Sequence, residues 1–128
     1  MSNTDVVMAF CNAWTGPDVN SALTMLSDDI FYHNIPMQPL SGKADVSAYL
    51  LGAAAFEDCR WDVLHIAEAG EYVLTERVDR MKVAGHDIVL PVMGTFRVRD
   101  GLICEWRDYF DLASYQAQWP AGIGGGGA

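Results

Sequence analysis

Tyr-Val-Leu-Thr-Glu-Arg-Val-Asp-Arg-Met-Lys-Val, residues 72 to 83, is the stretch that decides the fold. Alternate side chains of a strand point to opposite faces, so Val73, Thr75, Arg77, Asp79, Met81 and Val83 share one face. That face is apolar at its ends and charged in its middle. The run Leu-Ile-Cys-Glu-Trp-Arg-Asp-Tyr-Phe at 102 to 110 repeats the anomaly. Parity there puts Asp108 with Leu102, Cys104, Trp106 and Phe110, and Glu105, Arg107 and Asp111 on the other side. A buried ion costs on the order of several kcal/mol unless it is paired and hydrogen-bonded. One guanidinium and two carboxylates on inward faces therefore predict a single cluster and an active site around it. The competing reading is an internal salt bridge that ties two strands together.

Further strand patterns lie near 61–68 and 87–99, and Asp100-Gly101 joins the last two runs as a hairpin turn. Upstream the periodicity is helical. Thr4 or Asp5 is positioned to cap a segment through Trp14, with Val6, Val7, Phe10, Ala13 and Trp14 as one apolar stripe, and Gly16-Pro17 ends it. Asp18 starts a short second helix carrying Val19, Ala22, Leu23, Met25 and Leu26. Residues 30 to 36 read as a strand stopped by Pro36, in which Tyr32 and Asn34 share a face. A Pro- and Gly-containing loop then leads to a third helix from Lys43 to about Phe56, with Val46, Tyr49, Leu50 and Ala53 recurring. Helices followed by an antiparallel meander predict an α+β domain: a curved mixed or antiparallel sheet, cone-like, with the N-terminal helices on its concave side and a pocket between.

Length and charge narrow the function. A chain of 128 residues is one domain with one core. Its 51% apolar composition, four Trp and six Met supply enough bulk for a core and an apolar cavity. Net charge is −9, and no basic stretch is available to neutralise phosphates, which argues against nucleic acid and anionic membranes. No charged-then-apolar leader or long apolar run is seen, so a soluble cytoplasmic protein is expected. Cys11, Cys59 and Cys104 lack metal or disulfide spacing and read as reduced core thiols. His33, His65 and His86 are too scattered for a metal site. Residues 1–121 are expected to form the domain, and the Gly-rich residues 122–128 a flexible tail.

Tyr32-His33-Asn34-Ile35-Pro36, Leu74-Thr75-Glu76-Arg77-Val78-Asp79, Leu90-Pro91-Val92-Met93-Gly94, and Asp100-Gly101-Leu102-Ile103 through Trp106-Arg107-Asp108-Tyr109-Phe110-Asp111 occur in this order. Together they resemble limonene-1,2-epoxide hydrolase and its relatives on the NTF2-like, or SnoaL-like, fold, over nearly the whole chain. The resemblance implies hydrolysis of an epoxide to a vicinal diol in one step, without metal, organic cofactor or covalent intermediate. Carried over position by position, it implies that Asp108 activates water, Asp79 protonates the epoxide oxygen, Arg77 bridges them, and Tyr32 and Asn34 hold the water.

That chemistry suits these residue types. Water must lose a proton as it attacks while the leaving oxygen gains one, and a single carboxylate cannot be in both states. With one shared proton, Asp108, Arg77 and Asp79 form a neutral buried set; ionising both acids leaves a net negative charge that burial disfavours. Trp106, Phe110, Met25, Met37, Leu40, Leu50, Val73 and Met93 are candidate substrate-binding residues for a small apolar epoxide of terpene or cycloalkene type. Val89, Pro91 and Met93 alternate with Ile88, Leu90 and Val92, so both faces of that strand are apolar, and a homodimer is expected. Two alternatives remain on the sequence alone: an NTF2-like isomerase or polyketide cyclase, which needs no held water, and a non-catalytic ligand-binding module.

Overall fold

A computed structural model describes residues 2–15, 18–52 and 56–120. The elements run α1 (Asn3–Ala13), α2 (Val19–Leu23), β1 (Leu26–Asn34), β2 (Leu40–Ser41), α3 (Lys43–Leu50), β3 (Asp58–Ala69), β4 (Tyr72–Val83), β5 (His86–Arg99), β6 (Leu102–Tyr109) and α4 (Leu112–Gln118). The six strands form one curved, unclosed sheet in the order β2-β1-β6-β5-β4-β3. Neighbours are antiparallel except β1 and β6, which run parallel. The expected α+β class and mixed sheet are therefore present.

The meander follows from its turns and its alternation. Asp100 and Gly101 take φ of 54° and 76°, and Ala84 and Gly85 take 49° and 77°. Positive φ at both turn positions matches the right-handed twist of the flanking strands. Along β4 the inward residues Val73, Thr75, Arg77 and Asp79 are all buried, while Tyr72, Leu74 and Glu76 between them are exposed. Parity fails where a strand carries an extra residue. Arg97 pairs with Glu105 but Val98 pairs with Ile103, so Cys104 is bulged. The bulge buries Ile103 and turns Leu102 outward, contrary to the plain alternation read from sequence. Leu64 is bulged in β3 and exposed for the same reason.

Helix α1 begins earlier than expected, because Ser2 rather than Thr4 or Asp5 is the cap. Its side chain accepts from the Asp5 amide and the Asp5 carboxylate accepts from the Ser2 amide. Cys11 joins the buried stripe of Val6, Val7, Phe10 and Trp14. The expected Gly16-Pro17 stop lies outside the described residues. Phe10 is the centre of the core, edge-on to Trp14, Trp61, Phe96 and Trp106.

Three other boundaries differ from expectation. Leu26 belongs to β1, because the Met25 carbonyl accepts the Ile103 amide and pairing with β6 captures the chain directly after the turn. Leu40–Ser41, inside the expected loop, pairs with Tyr32 and Phe31 as an edge strand. Helix α3 ends at Leu50, two residues before Gly52; residues 53–55, Ala53 included, lie outside the described residues, and Phe56 is not helical. The C-terminal helix α4 was not expected. Asp111 caps it through the Ala113 amide, and Gln118 fixes it to β5 by bonding both the amide and the carbonyl of Val89. The helical cover thus comes from both ends of the sequence. No helix among the described residues is long and apolar enough to cross a membrane.

Candidate active site

Arg77, Asp79 and Asp108 meet on the inner face of the sheet. They are 1%, 5% and 4% exposed. Arg77 donates through Nε and Nη2 to the two oxygens of Asp79 at 3.0 and 2.9 Å, and through Nη1 and Nη2 to those of Asp108 at 3.1 and 2.9 Å. A further bond from Nη1 to Thr75 Oγ1, 3.2 Å, uses the remaining N–H. The guanidinium also lies 4.3 Å from the centre of the Trp61 ring. A fork bonded at every hydrogen and stacked on an indole has little freedom left.

The strand register brings these groups together. Asp108 on β6 and Thr75 on β4 both pair with Gly94 on β5. A Cβ at Gly94 would overlap Arg77 Nη1 and stand 2.7 Å from Asp108 Oδ1 and 2.9 Å from Thr75 Oγ1. Any side chain there would displace the cluster, so glycine is required by space rather than by backbone conformation.

The two carboxylates have different surroundings. Asp108 accepts three N–H bonds, two from Arg77 and one of 2.9 Å from Trp106 Nε1, whereas Asp79 accepts two, both from Arg77. Burial raises Asp79 to about 6 against the opposing pull of Arg77, and the negative charge of Asp108 adds to the rise. Burial alone would lower Arg77, but the two carboxylates outweigh it and hold the guanidinium well above its usual range. Of the cluster, Asp79 is the carboxyl that burial makes readier to take up a proton, beside a charged Arg77.

Asp79 and Asp108 are the charged residues in the wall of a cavity of about 190 Å³. Tyr32 and Asn34 line it as well, since Tyr32 pairs with Trp106 and Asn34 with Asp108 across the parallel β1–β6 ladder. The Tyr32 ring stacks on Trp106 at 4.1 Å, and burial, with Asp108 second, keeps its hydroxyl protonated far above its ordinary range. Trp106, Phe110, Met37 and Leu50 also face the cavity.

Four of the expected substrate-binding residues are elsewhere. Val73 shares the inward face of β4 but is wholly buried in the core, and Met25 packs against that core from the turn before β1. Met93 is 50% exposed on the opposite face of β5, as its alternation with Val92 requires. Leu40 borders an outer groove instead.

Other lining residues were missed. Trp61 had a legible signal, since it pairs with Asp79 across β3 and β4. Tyr49, whose hydroxyl accepts from Asn34 Nδ2 at 3.5 Å, falls in sequence within an apolar helical stripe that gives no sign of a polar contact. Phe56, Tyr115 and Trp119 close the far side and depend on chain segments whose direction no local pattern specified. Cys59 also lines the cavity, and burial pushes its thiol up to about 12, so it does not compete as a nucleophile. Among the histidines, the His33 ring bonds the Met37 carbonyl and His65 pairs with Glu76.

Comparison with known proteins agrees with this geometry. Residues 1–121 match the limonene-1,2-epoxide hydrolase catalytic domain. The chain is 34% identical over 109 residues to epoxide hydrolase EphG of Mycobacterium tuberculosis, an alignment covering 83% of this chain and 71% of that protein. The structure of an LEH-like epoxide hydrolase from M. tuberculosis superposes with a TM-score of 0.80 at 30% identity, over 88% of this chain and 84% of that one. A SnoaL-like polyketide cyclase fold from Shewanella putrefaciens also gives a TM-score of 0.80, but at 15% identity, and shares the fold alone. The chain belongs to the limonene-1,2-epoxide hydrolase family and is an epoxide hydrolase.

Proposed function

We propose that this member of the family hydrolyses a compact apolar epoxide, of terpene or cycloalkene type, by one concerted addition of water. Asp108 takes a proton from a water held by the Tyr32 hydroxyl and the Asn34 amide while the water oxygen bonds to an oxirane carbon. The C–O bond breaks, and Asp79 delivers its proton to the departing oxygen. The products are a vicinal diol, protonated Asp108 and ionised Asp79; one proton moved from Asp108 to Asp79 restores the starting state.

The observation that carries this reading is the unequal bonding of two buried carboxylates on one guanidinium, at the edge of an otherwise apolar cavity. Asp108, which accepts three N–H donors, is assigned the base, and Asp79, whose carboxyl burial pushes up to about 6, is assigned the acid. At about 190 Å³ the cavity is below the roughly 300–1,000 Å³ typical of drug-sized ligands, which favours a small ring.

Reaction of a panel of terpene and cycloalkene epoxides in isotopically labelled water tests the proposal. Vicinal diol carrying one labelled oxygen from the first turnover is expected. Label appearing first in the protein would instead require a covalent carboxylate ester.

The domain in this reading spans residues 1–121, it works in the cytoplasm, and a second copy covers the outer face of the sheet. Val89 and Met93 support the last point, being 40% and 50% exposed on the face turned away from the cavity. Light scattering at micromolar concentration is expected to give a dimer mass; a monomer mass would remove the dimer from the proposal.

A further inference from the structure

A groove of about 680 Å³ runs along the outside of the cavity wall, and Tyr32, Asn34, Met37 and Tyr49 line both spaces. These side chains are the partition between them. Its two halves are held differently. The turn after β1 is fixed by the Met37 amide bonding the Asn34 carbonyl at 2.7 Å and by the His33 ring bonding the Met37 carbonyl at 2.8 Å. Tyr49, from α3, is tied across the partition by one long bond from Asn34 Nδ2, 3.5 Å. Hydrogen bonds weaken steeply near that length, so the Tyr49 ring is the panel that moves at least cost.

Beyond the partition the groove is lined by Pro36, Gln38 and Leu40. It passes beside the reacting centre, because Asn34 pairs with Asp108 in the ladder. At about 190 Å³ the cavity suits a compact group. An apolar substituent on an oxirane carbon near Asp108 has this adjacent groove, with Pro36, Met37 and Leu40 in its lining, to enter.

We propose that this groove is a second substrate subsite, which takes an alkyl extension of the epoxide past a displaced Tyr49 ring. The inference rests on the proposed hydrolysis and specifies its substrate class: a compact apolar epoxide that carries an alkyl extension, with the oxirane at Asp79 and Asp108.

A homologous series from 1,2-epoxybutane to 1,2-epoxydecane tests it, together with binding of the matching 1,2-alkanediols by calorimetry. Both kcat/KM and diol affinity are expected to rise by about fourfold per added methylene until the groove is full. Gln38→Trp or Leu40→Trp, each placing an indole in the groove that these residues line, is expected to flatten both series. A flat series in the parent protein, or a steep one unchanged in both Trp variants, overturns the subsite. Steep diol binding without turnover of any epoxide keeps the subsite and removes the hydrolytic mechanism, so the two failures are distinct.

Discussion

Two arginines of this sheet are each forked between two acids, and they do opposite things. Arg97, on the outer face of β5, bonds Glu71 at 2.8 Å and Glu105 at 2.9 Å, with Tyr72 5.8 Å below its guanidinium. Arg77, on the inner face of β4, bonds Asp79 and Asp108 over Trp61. Residue types and bonding are nearly the same. At the outer site hydrogen bonds from Arg107 and then Arg97 lower Glu105, whereas at the inner site burial raises Asp79 to about 6. Water solvates the outer charges, and Glu105 keeps its carboxylate. Removing water raises the proton affinity of one inner acid, which is what the proposed acid–base pair requires.

Asp108→Asn should produce the largest difference between the sites. The variant keeps the shape of the residue but cannot take up a proton, so turnover should fall by about 10²–10⁴ with the fold intact by circular dichroism. Asp79→Asn should lose a comparable factor, because the oxygen then has no proton source. Activity retained in either variant would assign that role to another group.

Arg77 separates geometry from charge. Arg77→Lys keeps the cation but cannot bridge two carboxylates with parallel bonds, so a large loss of kcat with a small loss of stability is expected. Arg77→Leu strands the acids and should cost about 3–5 kcal/mol in denaturant unfolding. Equal destabilisation by Lys and Leu would mean that the cluster is structural only.

The pH dependence should differ next. Asp79 holds its proton more tightly folded than unfolded, so its contribution to stability is complete below its ordinary value of 3.8 and is lost as pH rises through about 6. The whole change is about 3 kcal/mol. Urea titrations between pH 4 and pH 7 should show it in the parent and not in Asp79→Asn. The acidic role predicts that kcat/KM declines over the same upper limb; a rate flat from pH 5 to pH 8 would exclude Asp79 as the proton donor.

Arg97→Ala should do least. Exposed pairs contribute little and are screened by salt, so Tm should move by a few degrees at most, with kcat unchanged. A rate loss there would show that the outer network shapes the cavity through β5.

The sequence by itself determined the inner face of β4. Period-two alternation is a local rule, and three charges that break it mark their own position whatever lies opposite. It also determined the Asp100-Gly101 hairpin and the shared face of Tyr32 and Asn34, for the same local reason. Only the tertiary structure decided which residues surround the substrate. Val73 shares the inward face of β4 yet is sealed into the core by packing, Leu102 was reversed by a bulge set by its partner strand, and Gly94 is required by side chains from two other strands. The raised pKa of Asp79 belongs with these. Its cause is the absence of water, and water is excluded jointly by helices and strands that meet only when the chain has folded.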